Sequence, residues 1–377
     1  MAATAPVKPL RLLVVLPNWV GDLVMATPAL RLLRQSLRGS FIGGLCRPGG
    51  EELLEGLDLL DEVHVERGGG VFGPKFVAAR IRPRMYDTAL LLTNPFSTAL
   101  VTRIAGIPRR VGYNRDGRGF LLTDKLVTPR RGDGSYAIIP ACRYYLDAAE
   151  SILHEHIPRY NALSATPIPL AFPPGMFMEL AASERQRTAA ADVLRKAGID
   201  PAARYAVLNP GGNNPAKRWP AERFARLADH LHQRHGLRIL VNGSPAEAPI
   251  IEAIVGAATL ATPVNLAACG SSLGALKPIV AGAALMVTND TGPRHIAAAM
   301  GTPLVSLFGP TDHRWTVIPI RPDAPERVLV ADPTLPEHES ANDHPGRCAI
   351  ERIDFEAVAN AADEVLEASR RRGNSRP

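Results

Sequence analysis

The chain has 377 residues, about twice the usual length of one domain, so two domains are expected. Hydrophobic residues make up 46% and charged residues 21%, as in an ordinary globular protein, and no apolar run approaches the ~20 residues that a membrane helix needs. The formal net charge of +6 suits an anionic ligand or an anionic membrane surface as well as nucleic acid, and part of the excess lies in the tail RRRGNSRP, which is expected to be solvated.

The cysteines and the first residues bear on the compartment. The four cysteines are far apart and form no CxxC pair, so neither a disulfide framework nor a zinc site is expected, and a reducing compartment is the default. The opening MAATAPVKPLRLLVVLPNWVGD has too short an apolar core for a signal peptide and no small-residue cleavage pattern. A cytoplasmic protein is therefore predicted, with contact to a membrane from the inside left open.

Strand and helix patterns alternate through the first half of the chain. The predicted elements are, in order, a buried strand over 10–17, a helix over 23–39, a strand over 41–46, a short helix over 51–57, a buried strand over 86–94, a helix over 95–106, and a strand and loop over 107–113. Such alternation indicates a doubly wound α/β domain, placed at 1–170.

A second alternation follows a segment with four prolines, SATPIPLAFPPGMFMELAA, which is the predicted linker at about 164–182. The predicted elements of the second domain, 171–377, are strands over 204–212, 237–245, 264–269, 284–290 and 303–310, and helices over 220–236, 248–258, 273–283 and 354–369, with a short helix after residue 290. One alternative packs the last helix back on the first domain.

The stretch NDTG, which begins at Asn289, lies between a strand and a short helix. Ligands of parallel sheets bind beyond the carboxyl ends of the strands, and a helix start offers unpaired N–H groups that suit phosphate. Gly292 permits close approach and Thr291 adds a hydroxyl, whereas Asp290 would repel phosphate and suits sugar hydroxyls. The alternative is that Asp290 or Thr291 simply caps the helix.

The stretch NPGGNNPAKRWP occupies a similar position after another strand. Gly211, Gly212 and Asn213 allow a tight turn, and Lys217 adds a compact cation suited to phosphate, although no Walker motif is present. A solvated pair of Lys217 and Arg218 is the alternative.

Asp22, in PNWVGDLV, lies where the N-cap of a helix belongs, and spacing alone favours capping over a role as general base.

No GxGxxG follows the first strand, which argues against a nicotinamide dehydrogenase. GSSLG at 270–274 matches a hydrolase elbow with Ser272 as nucleophile, but a glycine-rich turn is preferred. The group of His230, His232 and His235 is typical of solvated surface.

Taken together, these stretches resemble glycosyltransferase family 9, the bacterial heptosyltransferases. The resemblance is carried by LPNWVGDLVMATPALRLLR, YDTALLLTNPFSTALVTRIAGIPRRVGY, NPGGNNPAKRWPAERFARLADHL and VTNDTGPRHIAAAMGTPLVSLFGPT, and the ending RCAIERIDFEAVANAADEVL is also similar. The stretches PxWVGD and PAKRWP resemble those of the second-heptose branch. The resemblance implies a GT-B fold, two Rossmann-like domains facing each other across a cleft.

The resemblance also implies an activity: inverting, metal-independent transfer of a heptose from ADP-heptose to the lipopolysaccharide inner core. It implies no nucleic-acid partner and no cofactor. Its motifs place the catalytic base on Asp22, and they place the donor-binding positions on Gly212, Asn213, Lys217, Glu247, Asp290, Thr291, Gly292 and His295.

Three places depart from the family pattern. Pro293-Arg294 follows DTG where a small or apolar residue is usual, and NPFST at 94–98 lacks the basic residue often found there. The family's LAGxTSL region reads NLAACGSSLGAL at 265–276, which leaves the adenine pocket open. Peripheral contact with the inner membrane stays open, as do another sugar-nucleotide donor or acceptor and a catalytically silent nucleotide-sugar binding protein.

Overall fold

Two compact units, Met1–Met178 and Glu179–Pro377, make up the chain in a computed structural model. The structure describes residues 9–131, 134–153, 172, 175–319, 321 and 324–373. Most of the predicted linker lies outside the described residues, and no helix among the described residues is both long and apolar enough to cross a membrane.

The first unit is built on six parallel strands in the order β3-β2-β1-β4-β5-β6. The strands are β1 Arg11–Val15, β2 Phe41–Cys46, β3 Glu62–Val65, β4 Thr88–Leu91, β5 Arg109–Tyr113 and β6 Asp124–Leu126. The helices are α1 Val20–Met25, α2 Thr27–Ser36, α3 Gly50–Leu54, α4 Gly73–Ile81, α5 Phe96–Ile104 and α6 Ala141–Leu153. Strand β1 is central and buried from Leu12 onward, as its continuous apolar sequence predicts.

The helix predicted over 23–39 is wrong in two respects. It consists of α1 and α2, which meet at Ala26, and it begins three residues earlier, at Val20. Pro28 lies in the first turn of α2. Because proline lacks an N–H group and clashes with the preceding turn, α1 cannot run on and a new helix begins.

The second unit repeats the architecture, with six parallel strands in the order β12-β11-β10-β7-β8-β9. The strands are β7 Tyr205–Asn209, β8 Arg238–Val241, β9 Val264–Asn265, β10 Leu285–Asn289, β11 Leu304–Phe308 and β12 Glu326–Val330. The helices are α7 Glu184–Lys196, α8 Ala221–His235, α9 Ala248–Ala257, α10 Leu273–Ala281, α11 Gly292–Met300 and α12 Phe355–Gly373. Two such units confirm the predicted α/β class.

The last helix, α12, covers the sheet of its own unit. Val358, Ala362 and Leu366 share a buried cluster with Val305 and Leu307 of β11. The apolar face of α12 therefore packs on the second sheet, and the alternative of packing back on the first domain stays a prediction.

We expect Leu366→Ala to lower the free energy of unfolding by ~2–4 kcal/mol, because the lost side chain leaves a cavity under the sheet. Urea unfolding measures the change. Glu367→Ala, on the exposed side of the same helix, is the matched control and should change it by less than ~0.5 kcal/mol. Equal effects of the two substitutions would contradict the packing.

Candidate functional site

The carboxyl ends of β7, β8 and β10 bring the second unit's predicted residues together. Strand β10 pairs with β7, and β7 pairs with β8, all in parallel. The loops that follow them therefore emerge at one edge of the sheet, where ligands of such folds bind.

A buried ion pair joins two of these loops. Asp290 follows β10 and is 7% exposed, and its Oδ2 accepts a hydrogen bond from Lys217 Nζ at 3.0 Å. Burial alone would raise the pKa of Asp290, but the positive charges of Lys217 and Arg294 hold it below its usual value. Asp290 is therefore ionised at neutral pH, and the interpretation of Lys217 as part of a solvated pair is wrong.

Arg218 is also engaged, because its Nε donates to the carbonyl oxygen of Gly212 at 2.8 Å. The other Asp290 oxygen, Oδ1, accepts from the Thr316 hydroxyl at 3.3 Å. Thr316 comes from the loop after β11 and carries no motif that local sequence reading could recognise. The Asp290 carboxylate thus accepts hydrogen bonds from the loops that follow β7 and β11, the two strands beside β10.

The start of α11, residues 291–293, is half-buried. Thr291 is its N-cap residue, yet the Thr291 side chain makes no capping hydrogen bond. The Thr291 hydroxyl instead accepts from Asn209 Nδ2 at 2.9 Å. The simple capping interpretation of Asp290 and Thr291 is therefore wrong, and the first N–H groups of the helix lack an intrahelical partner. Gly292 occupies the first helical position.

Glu247 closes the glycine turn after β7. Its Oε1 accepts from the N–H of Gly212 at 2.7 Å, and its Oε2 accepts from the N–H and hydroxyl of Ser244. A Cβ at Gly211 would lie 2.1 Å from Glu247 Oε1, so any other residue there would displace the Glu247 carboxylate from the turn. Asn213, next in the turn, is exposed.

Three asparagines to which the sequence analysis assigned no role hold these loops in place: Asn209, Asn242 and Asn289. Asn242 Nδ2 donates to Asn209 Oδ1 at 2.7 Å, which orients Asn209 toward Thr291. Asn289 Nδ2 donates to the carbonyl oxygen of Pro210 at 2.7 Å. Asparagine after an apolar run is the signal that could have identified them, because each ends a buried strand or directly follows one.

Arg294 explains one departure from the family pattern. Its side chain is buried, and its Nε pairs with Glu326 Oε1 at 2.8 Å while its Nη1 donates to the carbonyl oxygen of Thr316. The guanidinium carbon also lies over the Phe308 ring, 4.9 Å from its centroid. Arg294 therefore holds the Thr316 loop beside Asp290, and its Nη1 lies 3.9 Å from Asp290 Oδ1.

His295 is fully enclosed beside Asp290. Burial and the charge of Arg294 lower the pKa of His295 to about 3, so the ring is neutral across the physiological range. Its Nδ1 has no hydrogen-bond partner among the described residues. His295 therefore contributes a neutral polar ring to the site.

Asp22 belongs to the first unit and lies at the carboxyl end of β1. Helix α1 begins at Val20 with Trp19 as its N-cap residue, so the prediction of Asp22 as N-cap is wrong by three positions. Its Oδ1 accepts a hydrogen bond from the Tyr145 hydroxyl of α6 at 2.8 Å. Burial and the neighbouring Asp22 charge raise the pKa of Tyr145 well above its usual value, so the phenol stays protonated and donates.

A basic residue from elsewhere in the chain, Arg118, lies beside the stretch NPFST. Arg118, fully buried, donates from Nη2 to Asn94 Oδ1 at 3.0 Å and from Nε to the carbonyl oxygen of Tyr113. Burial lowers the pKa of Arg118 to about 10, which leaves it charged at neutral pH. The Tyr144 hydroxyl donates to the same Asn94 oxygen.

Comparison with known proteins identifies the family. The family model of glycosyltransferase family 9 (heptosyltransferase) matches residues 77–342. The lipooligosaccharide heptosyltransferase 2 of Haemophilus ducreyi is 30% identical over 81% of this chain and 85% of its own length. The chain belongs to glycosyltransferase family 9.

Solved heptosyltransferases share its fold. E. coli ADP-heptose lps heptosyltransferase II has a TM-score of 0.74 at 24% identity, covering 96% of this chain and 99% of that one. E. coli heptosyltransferase WaaC with ADP-2-deoxy-2-fluoro heptose has a TM-score of 0.63 at 18% identity, covering 94% and 99%. The GT-B fold class is confirmed, and the protein is a glycosyltransferase.

Two further interpretations concern residues that the family's chemistry does not require. The Ser272 hydroxyl accepts from the N–H of Ala275 and caps α10, which confirms the turn and not a hydrolase elbow. His235 is not solvated, because its ring is buried and its Nε2 lies 2.6 Å from Asp363 Oδ1. His230 approaches the same oxygen at 3.0 Å.

Among the described residues, His230, His235 and Asp363 are one group that could hold a metal ion. Arg234 Nε pairs with the second Asp363 oxygen at 2.9 Å, and that cation satisfies the carboxylate without an ion. The group lies at the end of α8, and in parallel βα units a helix ends at the edge opposite the strands' carboxyl ends. We therefore assign it to the packing of α8 and α12.

The neutral state of His295 predicts a pH-dependent stability. Its pKa is about 3 when folded and about 6.5 when unfolded, so its contribution is full above pH 6.5 and declines as the pH falls toward 3. Between pH 8 and pH 5.5 the loss should be about 1.4 kcal/mol in the free energy of unfolding.

Urea unfolding at several pH values, compared with His295→Gln, isolates this contribution, since all other groups titrate in both proteins. Identical pH profiles for the two proteins would show that His295 is not buried in its neutral form.

Proposed function

We propose that this glycosyltransferase moves a heptose from ADP-heptose to the inner core of lipopolysaccharide, with inversion and without a metal ion. The carrying observation is the Lys217–Asp290 pair beside the start of α11, which juxtaposes a cation, carboxylate oxygens and backbone N–H groups. The names of the relatives support the choice of donor and acceptor.

The donor's two halves match two kinds of group in the site. Lys217 keeps further N–H donors beyond the one given to Asp290, and the first N–H groups at Thr291 and Gly292 carry the positive end of the helix dipole. These groups suit the diphosphate. The ionised Asp290 suits the heptose hydroxyls, which can donate hydrogen bonds to it. The turn with Gly212 and Asn213 adjoins them, and Glu247 is proposed to bind the nucleoside.

The same groups supply the electrostatic part of catalysis. Negative charge builds on the departing ADP as its bond to the sugar breaks. Donors fixed in advance stabilise that charge by ~3 kcal/mol each, and they replace the metal ion used by other glycosyltransferases. Full activity in excess EDTA is the corresponding expectation.

Asp22 is proposed as the general base that receives the proton of the acceptor hydroxyl. An ordinary carboxylate, with a pKa of ~4, is a weak base for an alcohol, so the proton moves late, as bond formation acidifies the hydroxyl. The Tyr145 hydroxyl orients the carboxylate through its 2.8 Å hydrogen bond. Tyr145 is therefore a positioning residue.

The acceptor carries a lipid, so we propose that the enzyme works at the cytoplasmic face of the inner membrane, in peripheral contact with it. The purified protein, incubated with ADP-heptose and other sugar nucleotides with and without lipid A–core acceptors, tests the assignment by ADP release. Release only with ADP-heptose and a heptose-accepting core supports it. Release with another donor, or none at all, would contradict it.

We expect Asp22→Asn to reduce transfer by about 10² to 10⁴-fold, because the amide cannot accept the proton. Calorimetry should show unchanged affinity for ADP. Tyr145→Phe, which keeps the carboxylate but removes its hydrogen bond, should lose only about tenfold. A turnover of Asp22→Asn close to that of the wild type would rule out the base.

Lys217→Ala should weaken ADP binding and lower turnover by about 100-fold, since one preorganised cation is lost from the departing diphosphate. Lys196→Ala, which removes an exposed lysine from α7, is the matched control and should leave both quantities unchanged. Unchanged affinity of the Lys217 variant for ADP, measured by calorimetry, would exclude Lys217 from the donor site.

A further inference from the structure

A solvent-facing apolar surface lies at the start of α4 in the first unit. Val71, Phe72 and Phe76 are 91%, 68% and 62% exposed, although large apolar side chains are usually covered. The opposite side of the same helix, with Val77 and Ile81, packs into the core. Phe72 and Phe76 are four residues apart, so they project from one side of the helix and form a continuous surface with Val71.

Positive charge surrounds these side chains. The stretch 67–85 contains five arginine or lysine residues and no acidic residue. Arg67, Lys75 and Arg80 are exposed and form no ion pair with any other described residue. Unpaired cations beside exposed phenylalanines are the combination that amphipathic segments use on anionic lipid surfaces.

A cavity of about 280 Å³ adjoins the helix and is lined by two of these cations. Arg67 and Arg80 both line it, and Val65 and Val77 form part of its apolar wall. Two guanidinium groups over an apolar wall suit a phosphate ester attached to hydrocarbon. The charge and the shape of this surface therefore favour the same occupant.

We propose that this surface, formed by Arg67, Val71, Phe72, Lys75, Phe76 and Arg80, docks the first unit on an anionic phospholipid bilayer. The phenyl rings enter the interface between headgroups and acyl chains, and the cations meet lipid phosphates. The inference deepens the proposed function, on which it rests for the lipid-borne acceptor, because it names the surface that contacts the membrane. An acidic protein surface would match the cations but leave the phenyl rings exposed.

Co-sedimentation of the whole protein with vesicles tests the proposal. Vesicles of phosphatidylglycerol and phosphatidylethanolamine should bind the wild type, and binding should fall with added salt. Vesicles of phosphatidylcholine alone should bind at least tenfold more weakly. The double variants Phe72→Ser/Phe76→Ser and Lys75→Glu/Arg80→Glu should each lose at least tenfold in partitioning onto the anionic vesicles.

Leu260→Ser and Lys196→Glu, at exposed positions of the second unit, are the matched controls and should bind as the wild type does. Failure of the wild type to sediment, equal binding to neutral vesicles, or wild-type binding by either double variant would overturn the proposal. Because sedimentation requires no turnover, it can fail while the transfer assay succeeds. Equal activity of the variants on a delipidated acceptor would show that their fold and catalytic site are intact.

Discussion

The second unit's site depends on one buried charge, the carboxylate of Asp290. An isolated carboxylate in the interior is costly, and removing the partner of a buried pair typically costs 3–5 kcal/mol. The ion pair with Lys217 therefore stabilises the buried Asp290 carboxylate whether or not a ligand is bound. That constraint fixes the loop after β7 against the end of β10. Trp219, buried two residues later, reinforces it, because its backbone N–H donates to Asn289 and its ring nitrogen donates to the segment before α12.

The charges at this edge nearly cancel, which limits how the site can attract an anion. Lys217 offsets Asp290, Arg294 offsets Glu326, and His295 is neutral. Attraction for a diphosphate must therefore come from directed N–H groups and not from net charge. Glu247 further restricts where a phosphate can bind, because its carboxylate already accepts the hydrogen bond from the N–H of Gly212. A phosphate at the glycine turn would have to displace that carboxylate, whereas the start of α11 requires no such exchange.

The sequence was most informative where strands are buried on both faces. Strands β1, β7, β10 and β11 read as continuous apolar runs and were predicted, whereas β3 and β12, half-exposed strands at sheet edges, have polar residues mixed in and were missed. The motif residues were found because each follows such a run. Their partners were not, since the Asn209–Thr291 and Asp22–Tyr145 contacts join residues 82 and 123 positions apart. Only the pairing of strands and the packing of helices bring those side chains together.

The misplacement of Asp22 shows why local rules fail at functional positions. Asp before a helical pattern normally caps the helix, and capping would direct the carboxylate at backbone N–H groups. Helix α1 begins early, at Val20, so Asp22 falls inside its first turn, where a negative charge still gains from the helix dipole. Its oxygen is bound instead by a phenol from α6, a helix that carries no recognisable motif. The direction of the proposed base is thus set by tertiary packing, and a substitution in α6 can alter it without touching any motif residue.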